Sequence, residues 1–179
     1  MKRGAALLVV LGVLAFAAGD ARGAEAWKRF VHPSLGFSLS YPPDWAARSE
    51  QGIVGVALVG PEIPGAHGLR INVNVVSEML PREGNLELIE SIAERQVSLI
   101  LSGYRRLRSD RTTLGGRPAI LRYFTWRRND GAEIYQMQLF TYAGRRAYVV
   151  TGTTLATSPT IEQDAGLLQR VVATFRVGK

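Results

Sequence analysis

With 179 residues, of which 46% are hydrophobic and 21% charged, the chain has material for one ordinary domain, and wholesale disorder is excluded. It has no cysteine, which rules out disulfides, cysteine-held metals and lipidation at a thiol. Its formal charge is +7, from 22 Lys+Arg against 15 Asp+Glu, a balance that favours anionic partners such as phospholipid headgroups or acidic envelope polymers.

The N-terminus reads as an export signal. Met1-Lys2-Arg3 is a short positive region, and Ala5 to Ala18 is an apolar run holding Leu7, Leu8, Val9, Val10, Leu11, Val13, Leu14 and Phe16. A permanent bilayer span needs about 20 apolar residues, so this run is short for one. Ala24-Glu25-Ala26 supplies the small-x-small pattern of a cleavage site, with Ala18 and Gly23 as alternatives. Residues 1–26 are therefore expected to be a signal peptide and residues 27–179 a single exported domain, periplasmic or extracellular. An uncleaved signal anchor is the competing reading. Residues 27–179 keep 19 basic against 13 acidic side chains, a charge of +6, so the basicity belongs to the domain. Export argues against nucleic acid as the partner.

Trp27 to His32 reads as a lead-in. Phe37-Ser-Leu-Ser-Tyr41 then alternates cleanly, as a strand with one wet face requires. Pro42-Pro43 ends it because proline cannot donate to a ladder, and Trp45 is expected to fold back as a core plug. Ile53 to Val59 and Leu69 to Val76 predict the next two strands, joined by a Pro/Gly-rich loop from Gly60 to Gly68. Asn85 can cap a helix in which Leu86, Ile89, Ala93, Val97 and Ile100 form one stripe, with Gly103 as its end. Glu90, Glu94 and Arg95 lie off that stripe, and the two acids read as a solvated face.

Tyr104 to Thr113 predicts a strand, followed by a tight Leu114-Gly115-Gly116 turn. From Thr112 to Leu155 the chain is a meander rich in β-branched and aromatic residues, with turns at Asn129-Asp130-Gly131 and Ala143-Gly144. Ser158-Pro159 predicts a cap and first-turn proline before a second helix with stripe Ile161, Ala165, Leu168, Val172 and Phe175. Runs such as Ala147-Tyr-Val-Val150 are apolar at successive positions, which requires cover on both sheet faces. The expected class is α+β: an antiparallel β-sheet flanked by helices.

Gly36-Phe-Ser-Leu-Ser-Tyr-Pro-Pro-Asp-Trp45 resembles the entry strand of PsbP-like proteins. Thr113-Leu-Gly-Gly-Arg-Pro-Ala119, leading into an aromatic strand, resembles the DcrB-type envelope branch of that fold, and Phe175 after a helix is similar to its closing strand. The resemblance implies an α/β/α sandwich and an accessory or binding module of bacterial envelopes or thylakoid lumens, without shared catalytic residues. The helix after Asn85 fits the DcrB-type branch better than the photosystem branch. No site residue carries over.

No catalytic or cofactor signature stands out. There is no Gly-x-Ser-x-Gly elbow, no His-Glu-x-x-His and no phosphate-cradling Gly-x-x-x-x-Gly-Lys, so neither a cofactor nor a metal is expected. His67 and Glu62 in the Gly60–Gly68 loop are too few for zinc, and His32 beside Pro33 reads as structural or solvated. Arginine is the stronger signal: Arg105, Arg106, Arg108, Arg122, Arg127 and Arg128 fall close together, with Arg145 and Arg146 at a later hairpin. Strand alternation is expected to put Arg106 and Arg108 on one face, and Arg127 with Arg128 at one end of the sheet. Guanidinium forks suit phosphate and carboxylate, while solvated strand edges are the bland alternative.

The expected function is a non-catalytic, exported envelope module contacting an anionic component or another envelope protein through its arginines, peripheral membrane contact included. The rival is a small-ligand carrier or hydrolase working through His67 and Glu62 in the Gly60–Gly68 loop.

Overall fold

The computed structural model describes residues 26–48, 54–66 and 68–178, so the expected signal segment up to residue 25 and His67 lie outside the described residues. Ten strands and two helices follow one another as β1 (Lys28–Val31), β2 (Phe37–Tyr41), β3 (Ala46–Arg48), β4 (Val54–Glu62), β5 (Arg70–Met79) and α1 (Leu86–Ile100), then β6 (Arg105–Leu114), β7 (Arg117–Arg127), β8 (Glu133–Ala143), β9 (Arg146–Leu155), α2 (Ile161–Ala173) and β10 (Arg176–Val177). Seven strands form one antiparallel sheet in the order β3-β4-β5-β9-β8-β7-β6, and β1, β2 and β10 form a small second sheet.

The meander β6 to β9 builds four of the seven strands of the large sheet through consecutive hairpins. Alternation then decides which side chains meet which helix. On one face Val73, Val75, Met137, Leu139, Tyr148 and Val150 pack with Leu168, Val171 and Val172 of α2, and with Phe37, Leu39 and Phe175 of the small sheet and its flank. Phe37, Tyr148 and Phe175 form an aromatic cluster with centroids 5.6–6.2 Å apart. On the other face a smaller cluster of Leu86, Ile89, Ile120, Phe140 and Ala147 seats α1.

The molecule is therefore mostly antiparallel sheet with one helix on each face, rather than a fully helix-flanked sandwich. The small sheet shares the α2 face, and α1 covers only part of the other. Several expectations shift at the edges. The lead-in from Trp27 contains β1, which pairs with β2 rather than joining the large sheet. β4 runs through Glu62, so the first residues of the expected Gly60–Gly68 loop are strand. Asn85 does cap α1, accepting from the Leu88 amide at 2.8 Å. Ile100 leaves the expected stripe and is 76% exposed. Thr160 holds the N-cap position of the second helix without a side-chain cap bond, and Ser158 Oγ accepts the Thr160 amide instead of capping the first turn.

Trp45 fills the core as expected and is 2% exposed. Its seat requires glycine at position 60, because a Cβ there would lie 2.5 Å from Trp45 Cε2 and 2.7 Å from Ile71 Cγ2. Gly60→Ala is expected to overpack this site and destabilise the fold by about 1–3 kcal/mol, read as a lower midpoint in urea unfolding.

Candidate functional site

The α1 face of the sheet is organised in cross-strand rows. One row runs Ala57, Asn74, Thr151, Gln138, Arg122 and Ser109, and its neighbour runs Val59, Asn72, Thr153, Gln136 and Phe124. The row beyond Asn74, with Val76, Val149, Phe140 and Ile120, is apolar. Arg122 stands on β7 with Ile120 and Phe124 as same-face neighbours, and it is completely buried.

A buried guanidinium needs partners, and the rows and α1 supply them. Arg122 Nη1 donates to Glu94 Oε2 of α1 at 2.7 Å, and Nη2 donates to Gln138 Oε1. Its charge also lies over the Phe140 and Phe124 rings, at 4.8 and 5.5 Å from the centroids. Glu94 Oε2 accepts a second bond, from the Tyr104 hydroxyl at 2.7 Å. Burial, then this hydrogen bond, raises the Tyr104 pKa above the ordinary tyrosine range. The relay continues outward, for Gln138 Nε2 donates to Thr151 Oγ1 at 3.3 Å. In the adjacent row Trp126 Nε1 donates to Gln136 Oε1, and Gln136 Nε2 to Thr153 Oγ1. Among the described residues, Arg122 Nε is the one buried side-chain polar atom without a partner.

Contrary to the solvated-face expectation, Glu94 points into the sheet, and Glu90 accepts from Ser109 Oγ at 2.6 Å. Sequence reasoning placed these acids on open helix surface because the apolar stripe of α1 is narrow. Arg122 between Ile120 and Phe124 at two-residue spacing was the available signal of a buried charge.

These contacts hold α1 over β6 to β8, which leaves β5 and β9 less covered. A trough results. Its apolar part, about 330 Å³, lies between α1 and β5, floored by Val76, Ala147 and Val149 and walled by Met79, Leu88 and Ile92. Its polar part, about 570 Å³, lies over β4 and β5 with Asn72 and Asn74, and is closed by Gly68, Leu69, Arg70 and Arg128. Val76 lines both parts. The loop at the polar end is pinned: Ile63 and Ala66 are buried, and Arg128 Nη2 donates to the Ala66 carbonyl at 3.1 Å.

The arginines proposed from sequence do not form one surface. Arg122 is buried and cannot meet a partner directly. Arg106 is opposite Phe124 and Arg108 opposite Tyr123, because a register shift between them inserts Leu107. The two therefore leave opposite faces, not one, and the Arg108 guanidinium lies 4.7 Å from the Tyr123 ring centroid. Arg108 also pairs with Asp110, and Arg105 with Glu133. Arg127 and Arg128 do share one end of the sheet. Arg145 and Arg146 sit at the other, about 30 Å away along β8, bonded to Leu80 O and Ser77 Oγ. Glu62 is exposed beside the polar end, opposite Arg70. His32 is structural: its Nδ1 accepts from the Ser34 and Leu35 amides. Among the described residues no group of three or more His, Cys, Asp or Glu could hold a metal ion.

Removing one partner of the buried pair leaves the other charge stranded. Glu94→Ala is expected to cost about 2–3 kcal/mol in chemical denaturation, below the roughly 3–5 kcal/mol of a fully buried pair because Glu94 keeps some water contact, and Glu94→Gln less. At the β7–β8 turn, the Arg128 hydrogen bonds, then the Ala132 amide, hold the Asp130 carboxyl down at about 2. A depressed carboxylate contributes stability above its unfolded pKa, and that contribution is lost as pH falls from about 4 through about 2. An NMR titration is expected to show Asp130 ionised down to that range, and Arg128→Gln to move it back toward ordinary carboxylates.

Comparison with known proteins places these features in context. Three solved structures share the fold. Cyanobacterial PsbP (CyanoP) from Synechocystis sp. PCC 6803 matches at TM-score 0.66 and 14% identity, covering 90% of this chain and 98% of that one. LpqN of Mycobacterium tuberculosis, described as involved in cell envelope biogenesis, matches at 0.64 and 14%, covering 86% and 91%. The Ran-binding protein Mog1p of Saccharomyces cerevisiae matches at 0.57 and 14%, covering 85% and 95%. The fold is thus PsbP-like. No curated protein sequence matches the chain. Residues 29–177 match the serine/threonine kinase C-terminal domain profile, and since that stretch takes in every strand and helix from β2 to β10, the chain belongs to the serine/threonine kinase C-terminal domain family.

Proposed function

We propose that this chain is a non-catalytic, exported recognition domain that binds its partner in the trough between α1 and the loop before Arg70. The observation that carries the reading is the trough itself. An apolar groove and an amide-bearing floor meet at Val76, which lines both. Pockets of this kind, apolar with a few placed polar groups, are ordinary ligand sites. Its walls are set by buried contacts on either side, so the site needs little ordering on binding.

Three further facts support it. The family is described as the C-terminal domain of serine/threonine kinases, a position suited to an appended binding module. LpqN serves cell envelope biogenesis and Mog1p binds Ran, so the same fold is used for accessory and binding roles. The apolar run at Ala5 to Ala18 supports export, with a periplasmic or extracellular domain to follow. In this reading α1 is the one-sided helical cover of a reduced α/β/α sandwich, and the Gly60–Gly68 loop closes the polar end as a wall.

The test compares capture from envelope extract by the full chain, by Ile92→Arg and Asn74→Lys in the trough, and by Gln163→Arg on α2. The trough variants are expected to lose the captured component while the α2 variant keeps it, at both low and high salt. Trough variants that capture the same component as the parent would sink the reading.

A further inference from the structure

We propose a second, separate surface: the corner where α1 ends and β6 begins docks peripherally on an anionic lipid bilayer. Three of the large apolar side chains left in water belong to this stretch of the chain, within eight positions of one another. Leu99 is 79% exposed, Ile100 76% and Leu107 47%. Leu99 and Ile100 form the last turn of α1, and the register shift in β6 pushes Leu107 out of the ladder. A soluble domain gains nothing from such tips unless something apolar receives them.

Arginines ring the same corner. Arg95 is one turn before Leu99 on α1, and Arg105 and Arg106 immediately precede Leu107. Arg127 is tied to this corner by its amide, which donates to Ser102 O at 2.7 Å. The aliphatic stem of Arg127 lies beside Gly103, 3.5 Å from where a Cβ would stand. Arg106 is opposite Phe124, on the α1 face, while Arg127 is in phase with Thr125 on the other, so the two flank the same end of the sheet from its two sides.

The acids nearby are already committed. Glu94 is bonded to Arg122 and Tyr104, Glu90 to Ser109, and Glu133 to Arg105. Arg95, Arg106 and Arg127 have no acidic partner among the described residues. Apolar tips inside a ring of uncompensated arginines complement a surface with anionic headgroups above acyl chains. A protein partner of matching chemistry would need its own acidic ring, and a free phosphate would leave the leucine and isoleucine tips unused.

The experiment is vesicle co-sedimentation of the full chain. It compares phosphatidylcholine vesicles with vesicles of phosphatidylcholine and phosphatidylglycerol, and since the basic, apolar N-terminus is the same in parent and variants, its contribution cancels between them. Binding is expected to be tighter to the anionic vesicles and to weaken with salt. The pair Arg106→Gln with Arg127→Gln should lower that preference by about tenfold or more, as each arginine near such a surface is worth roughly a fivefold factor. Leu99→Ser with Ile100→Ser should weaken anionic-vesicle binding while circular dichroism stays unchanged. Arg145→Gln with Arg146→Gln, at the far end of the sheet, should leave it within about twofold. Equal binding of the parent to both vesicles overturns the proposal, as does an equal loss from the far-end pair. Because no trough residue is altered, the outcome is independent of partner capture by the trough.

Discussion

A single ion pair sets the layout of the α1 face. Arg122 is deep enough that its guanidinium must be met by charge and by hydrogen-bond acceptors, and Glu94 can do so only if α1 lies above β7. The helix has few apolar anchors of its own: among its residues only Leu86 and Ile89, both in the first turn or so, are buried. Farther along, the Arg122–Glu94–Tyr104 cluster does the holding. The C-terminal half of α1 is thus seated by polar contacts, and its own leucine and isoleucine are left facing water.

That placement has a cost and a consequence. A buried pair of this kind is seldom more stabilising than an apolar replacement of the same volume, and Arg122 Nε stays unpartnered. What the pair supplies is position. With α1 held above β6 to β8, the amides of Asn72 and Asn74 and the apolar row at Val76 remain accessible in the trough. The opposite face shows no such economy, since α2, the small sheet and Trp45 bury it completely enough to carry the stability of the domain. One face holds the fold together while the other is left partly open.

The arginine content follows the same division. Arginine here takes several roles that composition cannot separate: Arg122 is structural, Arg108 stacks on Tyr123, and Arg128 pins the loop at Ala66. Among the described residues, Arg95, Arg106 and Arg127 stand without an acidic partner near the end of α1, and Arg145 and Arg146 do so at the far end of the sheet. A net charge of +7 is therefore a poor guide to where an anion would sit.

Much of the fold was legible in the chain because its causes are local. The Phe37–Tyr41 strand, the glycine-bearing turns of the meander, the Asn85 cap and the Trp45 plug each depend on residues a few positions apart, and each stands in the structure, although Ser38 is buried and the strand lacks its expected wet face. The β1 strand was not legible, because a four-residue strand exists only through its pairing with β2. Nor was the site. One inserted residue at Leu107 decides which face Arg106 and Arg108 occupy, and Arg122 becomes buried only when a helix some thirty positions earlier closes over it. The sequence by itself determined the strands, the helices and their apolar sides, since short-range sterics and periodicity are written residue by residue. Only the tertiary structure decided which polar groups are buried, paired or exposed, because desolvation depends on neighbours brought together from distant parts of the chain.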